Sequence, residues 1–240
     1  MLRSIAQSRT LSNHRNFHTP HRGYYDNSYR GLSPKETFIR YSSEFAETCR
    51  LKPDFSKYSH KNHDHPPSYN CYGFMAHLLG SSHPLAYHEV LAWMHKMKDV
   101  ISPSLDNRPC PFHYQQFFKS LPKTPASHWE PVEKPEEMQI GDIIAYTPEN
   151  YHFPEKAEFS DKPTGTHVLT VKQVYGLTPS QVNLLGIDCT KAPHSKQDTR
   201  KKGGIGISPV ILHFWKNQSA VQWHPKGKKN KREISIGRLK

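Results

Sequence analysis

No stretch of this 240-residue chain approaches the ~18 consecutive apolar residues that a membrane span needs. A membrane-spanning helix is therefore not expected, and the chain reads as soluble. Cysteine is scarce and scattered: Cys49, Cys71, Cys110 and Cys189 lie far apart and none forms C-x-x-C, which argues against a zinc ribbon or a thioredoxin motif. Thiols so dispersed require no disulfide, and two bridges would form only in an oxidising compartment. Acidic residues are absent from residues 1–25, which hold Arg3, Arg9, Arg15, Arg22 and several serines. That segment also lacks an apolar h-region, so a secretory signal peptide is disfavoured. Its composition matches a mitochondrial transit peptide and equally a disordered basic tail over residues 1–33. A cytoplasmic location, a mitochondrial one and export without a conventional leader all stay open. Apolar residues make up only 35%, and the mean hydropathy is -0.80, so the core is modest.

Acid is also sparse at the other end. Residues 191–240 hold 13 Lys and Arg against Asp198 and Glu233, a net of +11, whereas residues 101–150 carry a net of −3. The charge of +12 is thus a C-terminal feature. Such a face attracts phosphate, nucleic acid or anionic lipid, or is simply a solvated surface. The run Lys226–Arg232 would bind nucleic acid nonspecifically, with no recognised nucleic-acid fold motif beside it.

Periodicity places helices first and strands later. Phe38, Tyr41, Phe45 and Cys49 recur at helical spacing over residues 34–50, behind a possible cap at Ser33. Residues 51–67 are polar, His-rich and end in Pro66-Pro67, which predicts a loop. Cys71, Phe74, Met75, Leu78 and Leu79 fall on one helical face, with Ser68 or Asn70 as cap and Gly80 as terminator. Two further helices are expected over 84–98 and 111–121. From residue 138 the period changes. Strands are expected at 143–146, 166–174, 181–189, 205–215 and 233–238, the second and third joined in a hairpin around Gly176–Ser180. Helices followed by a mainly antiparallel sheet make an α+β fold, with residues 34–240 as one domain.

Chemistry centres on Cys71. A thiol is a good nucleophile only as thiolate, and a helix N-terminus and an adjacent imidazolium both favour that form. Cys71 sits in the first turn of its helix. His167 opens a strand and is the candidate imidazole. A third polar group should orient the ring. The hairpin puts residues 188–189 opposite His167, so Asp188 is the candidate, with Cys189 one register step away and His194 also open. A second polar cluster follows: His194, Asp198 and Arg200. Dense polar residues after a strand end often line a site, and Arg200 would clamp a substrate carboxylate; the other reading is a locally bonded turn. Cys49 and Cys110 have no companion motif and read as structural. His60, His63, His65 and Cys71 fit no standard zinc spacing, and neither metal nor cofactor is expected.

Asn70-Cys71-Tyr72-Gly73-Phe74 resembles the opening of the catalytic helix in NlpC-type peptidases. Ile140-Gly141-Asp142-Ile143-Ile144-Ala145-Tyr146 resembles the Gly-Asp strand of that family, and Gly165-Thr166-His167-Val168 its Gly-His-Val strand. The three occur in the family's order across roughly residues 68–190. The resemblance implies a papain-like fold, a triad of Cys71, His167 and Asp188, and hydrolysis of amide bonds, often in peptidoglycan stem peptides. The segment 81–138 is longer than in minimal members, which opens the question of substrate. Two alternatives accompany the hydrolase: an acyltransferase or transglutaminase-like enzyme on the same fold, and a non-catalytic basic binding module.

Overall fold

The computed structural model describes residues 29–52, 54–59, 63–64, 67–98, 108–123, 128–151, 165–216 and 218–240. Gly31–Lys240 form one compact unit. The expected tail over 1–33 lies almost wholly outside the described residues, as do His60 and His65. Among the described residues no helix is long and apolar enough to cross a membrane.

The chain is α+β, with four α-helices and a mainly antiparallel sheet among the described residues. Helix α1 (Pro34–Leu51) begins in a reciprocal cap: the Glu36 N–H donates to Ser33 Oγ, and the Ser33 N–H donates to the Glu36 carboxylate at 2.7 Å. Its buried residues Phe38, Ser42, Ala46 and Cys49 form one stripe. Helix α2 (Cys71–Ser82) starts behind Asn70, whose Oδ1 accepts the Gly73 N–H at 2.7 Å. It runs past Gly80, the expected terminator, and ends at His83. Helices α3 (Pro84–Lys96) and α4 (Pro111–Ser120) both carry proline at the start, where no N–H is missed. The stretch 51–67, expected as loop, contributes three strands too short to show a period: β1 (Lys57–Tyr58), β2 (His63–Asp64) and β3 (Pro67–Tyr69).

The main sheet comprises β4 (Trp129–Pro131), β5 (Ile143–Thr147), β6 (His167–Thr178), β7 (Gln181–Thr190), β8 (Gly204–Trp215), β9 (Gln218–Gln222), β10 (Asn230–Lys231) and β11 (Glu233–Leu239). Their order is β10-β9-β8-β7-β6-β5-β11-β4. That order forces the sheet to roll. Lys231 and Glu233 are two residues apart, within ~7 Å, yet β10 and β11 are separated by five strands, a width of ~29 Å if the sheet were flat. Hydrogen bonds close the seam, from the Arg232 N–H to Ser219 O at 2.9 Å and from Ser219 Oγ to Arg232 O.

Alternation along the strands then sorts residues between two cores. Leu169, Val171, Val182, Leu184, Val210, Leu212, Val221 and Ile236 fill the inside of the roll. Ile143, Ala145, Val168, Ile187, Cys189, Ile205 and Ile207 face outward against the helices, with α2 on β6 and β7 and α4 on β5 and β11. The Gly141-Asp142 turn latches this assembly. Gly141 has φ +88°, and Asp142 accepts from the Gln139 N–H and from Arg238 Nε, both at 2.8 Å. The Gly-Asp motif therefore serves the fold by tying the start of β5 to β11.

Candidate active site

The site lies at one end of the roll, where the inward-facing series turns polar. On β6 the residue two before Leu169 is His167. On β7 the series Val182, Leu184, Gly186 ends in Asp188, and on β8 Ser208 precedes Val210. The β6–β7 hairpin decides how close His167 and Asp188 come. The ladder starts at Thr178↔Gln181 and reaches Thr170↔Ile187, passing two register shifts on β6, between Val171 and Gln173 and between Val174 and Gly176. One bulge would flip every later side chain to the other face; two restore the face. They also draw Asp188 from a place opposite Val171 to one opposite Leu169, within diagonal reach of His167.

Helix α2 brings Cys71 to this end. Cys71 is the first residue of the helix, half-buried, at the positive end of the helix dipole. His167 is buried, and its Nε2 lies 2.6 Å from Asp188 Oδ2. Burial opposes a charge on this imidazole, but the Cys71 thiol, by charge and hydrogen bonding, and the Asp188 carboxylate outweigh it and raise its pKa above the ordinary value. An ionised carboxylate only accepts, so Nε2 of His167 carries a proton. Nδ1 is left as the acceptor for the thiol proton of Cys71.

Asp188 is almost fully buried and three cationic or polarised partners converge on it. Oδ2 also accepts from His194 Nε2 at 2.7 Å, and Oδ1 accepts from Arg200 Nη2. Burial alone would push the carboxyl up. Arg200, His194 and the hydrogen bonds of both histidines reverse that and hold it well below the usual carboxylate range. Cys189, the register alternative, points the other way: it is wholly buried among the helices, and its thiol donates to Tyr69 O at 3.0 Å. Burial raises its pKa, as it pushes Cys49 up to about 11.

The second polar cluster is a scaffold for Asp188. All five donor positions of the Arg200 guanidinium are occupied: Nε by Asp198 Oδ1 (2.7 Å), Nη1 by Thr190 Oγ1 (2.7 Å) and Gly204 O (3.0 Å), Nη2 by Asp188 and by Ser208 Oγ (3.2 Å). The side chains of Arg200 and Asp198 are 3% and 0% exposed. The expected carboxylate clamp is thereby corrected, because Arg200 has no donor left for a substrate, and Asp198, bonded to Arg200, to the Ser208 hydroxyl (2.7 Å) and to the His194 N–H (3.0 Å), has no open face. His194 alone of the three reaches solvent, its side chain 16% exposed, with its ring flat on Trp223 at 3.4 Å between centroids and 5° between planes. Trp223 went unread in the sequence because it follows β9, five residues long and without a clear alternation. Tyr146, opposite His167 on β5, was read only as a strand residue; the rings lie 5.8 Å apart.

His167, Asp188 and His194 also offer ligand atoms within 4.8 Å of one another, a set of types that zinc accepts. Both imidazoles, however, meet the same oxygen at hydrogen-bond length, and a buried guanidinium holds the other oxygen. A dication would have to displace two protons beside a fixed cation, so the geometry fits a proton network better than a metal.

Gly206 makes room for that network. A Cβ there would lie 2.4 Å from Arg200 Nε and 2.8 Å from Asp198 Oδ1. Gly206→Ala is expected to destabilise the protein by about 1–3 kcal/mol and to lower Tm by about 2–4 °C per kcal/mol. An unchanged Tm in calorimetry would show that the pair moves aside at no cost.

Cys110, expected to be structural and without a companion motif, sits at the head of α4 with its Sγ 3.1 Å from His113 Nδ1, a second Cys–His contact. It is the second thiol to follow in any labelling of Cys71. All four thiols are free. No family model, no curated protein and no solved structure matches the chain.

Proposed function

We propose that the protein is a cysteine hydrolase of the papain-like NlpC type that cleaves amide bonds, with Cys71 as nucleophile, His167 as base and Asp188 as orienter. One observation carries the reading: His167 stands between a thiol at a helix start and a carboxylate whose remaining contacts are all fixed by the protein. The tautomer and the direction of proton transfer follow from that arrangement.

In the first step the Cys71 thiolate attacks the carbonyl carbon, and the electron pair moves onto oxygen. The N–H of Cys71 meets that oxyanion; the neighbouring Gly73 and Phe74 N–H groups are taken by Asn70. The tetrahedral species collapses as the proton on His167 Nδ1 passes to the leaving amine, giving a thioester. His167 then takes a proton from water, which attacks the thioester and releases acid and thiol. His194, bonded to the same carboxylate oxygen as His167, holds Asp188 in place and acts as a positioning residue.

A simple acyl donor tests this. Incubation with p-nitrophenyl acetate is expected to release nitrophenol in a burst of about one equivalent per protein and to leave an acetyl group on the Cys71 peptide in mass spectra. Acetyl transfer to added amines in preference to water would make the enzyme an acyltransferase instead. Acetylation confined to lysines, or to Cys110, would sink the reading of Cys71 and leave a binding module in the lead.

A further inference from the structure

Two segments build the wall of the site beside His167. One, residues 191–203, joins β7 to β8 and supplies His194. The other, residues 223–232, joins β9 to β11 and supplies Trp223. They meet where the His194 ring lies on the indole. Both are rich in lysine, and the lysines stand exposed: Lys191, Lys196, Lys201 and Lys202 on the first, Lys226, Lys228, Lys229 and Lys231 on the second. The only acid in either segment is Asp198, buried against Arg200. Among the described residues none of these eight lysines has a carboxylate partner. Arg232, half-buried at the end of the second segment, carries the charge inward. A Cβ on Gly165, two residues before His167, would lie 3.1 Å from its Nη2.

A cation on an open surface is cheap, because water screens it. Lys229 lies over the Trp215 ring, 6.0 Å from its centroid; the other seven, on the two loops that supply His194 and Trp223, give this side of the candidate site a positive field. We propose that the polypeptide cleaved at Cys71 carries a run of Asp and Glu beside the scissile amide, held by these two loops. The proposal rests on the amide-cleaving reading of Cys71. Lysine ammonium groups are point charges that suit dispersed carboxylates, whereas single-stranded nucleic acid is held by open aromatic faces together with cations. The aromatic residue at the junction of the two loops, Trp223, has one face covered by His194.

The test combines binding with protection. A fluorescein-labelled oligoglutamate peptide is titrated against the full chain by fluorescence polarisation, beside a Gly-Ser peptide of equal length, a thymidine oligonucleotide and phosphatidylserine vesicles. The acidic peptide is expected to bind, the Gly-Ser peptide not. Affinity should fall about tenfold or more between about 50 and about 300 mM NaCl, and by a similar factor in a variant carrying Lys191→Glu, Lys196→Glu, Lys226→Glu and Lys228→Glu. The same peptide should slow iodoacetamide labelling of Cys71 but not of Cys110. Binding without protection of Cys71 overturns the proposal, since the peptide then docks elsewhere. So does binding unaltered in the charge-reversed variant, or binding of the oligonucleotide or vesicles alone. Labelling of Cys71 without any peptide separates the two readings: a Cys71 no faster than an ordinary thiol overturns the cleavage mechanism and the substrate role with it, whatever the peptide binds.

Discussion

At pH near 6.5, iodoacetamide is expected to label Cys71 about ten- to a hundredfold faster than an unassisted thiol, and His167→Ala is expected to abolish that advantage. The factor follows from thiolate population. An ordinary thiol with pKa near 8.5 is about 1% ionised at that pH, and an ion-paired thiolate loses part of the gain through lower intrinsic nucleophilicity. Cys49 and Cys189 are buried with raised pKa values and should stay slow, so the unassisted reference is free glutathione, and Cys110, with His113 beside its sulfur, is followed separately by peptide mapping. The two readouts should also part company in alkali. His167 has its pKa raised above the usual 6.5, so the imidazolium survives above that pH and is lost as pH rises through its folded-state value. Alkylation needs only the thiolate and stays fast there. Amide turnover needs the proton on His167 for the leaving amine and should fall. Cys71 labelling that is equal in wild type and His167→Ala would end the case for a thiolate–imidazolium pair.

Cys71 and His167 were legible as candidates because each stands where a clear period starts. Cys71 heads a five-residue apolar stripe, and His167 opens a strand whose alternation continues for several residues. Asp188 was legible only as one of two neighbours, since the choice hangs on two bulges in β6 that no side-chain pattern announces. The cluster His194, Asp198 and Arg200 was visible as polar density, but density does not say whether a group faces in or out. Burial turned the expected clamp into a strut. The least legible feature was the closure of the sheet. β4, β9 and β10 are two to five residues long, and their partners lie far away in sequence. The place of Trp223 against His194, and of Arg232 beside the start of β6, depends on that closure.

Asp188→Asn should be the most informative single change in the scaffold. The amide keeps the shape but offers one accepting oxygen where two imidazole N–H groups and a guanidinium now converge, and it turns an NH2 toward donors. Amide turnover should fall about 10²–10⁴-fold, because the His167 ring loses its orienting acceptor, and Cys71 labelling at pH near 6.5 should lose most of its advantage of about ten- to a hundredfold. Without the carboxylate the pKa of His167 drops, so the alkaline edge of amide turnover should move to lower pH. Stability should fall too, by about 3–5 kcal/mol, the usual cost of removing one partner from a buried pair. The sign of the pH dependence follows from Asp188 having its pKa lowered on folding. Its contribution is present above the unfolded value near pH ~4 and is lost as pH falls through the folded value. The variant and the wild type should therefore differ most at neutral pH and converge in strong acid. Arg200→Met should cost more than Asp188→Asn, since it strips the counter-charge from two buried carboxylates, Asp188 and Asp198. The double variant should cost less than the two singles added together, by about 0.5–3 kcal/mol. Strict additivity in urea melts would mean that the two residues do not act as a pair. An Asp188→Asn protein with wild-type Cys71 labelling and an unmoved pH profile would remove Asp188 from the mechanism and leave it as a buried anchor for the loop that carries His194.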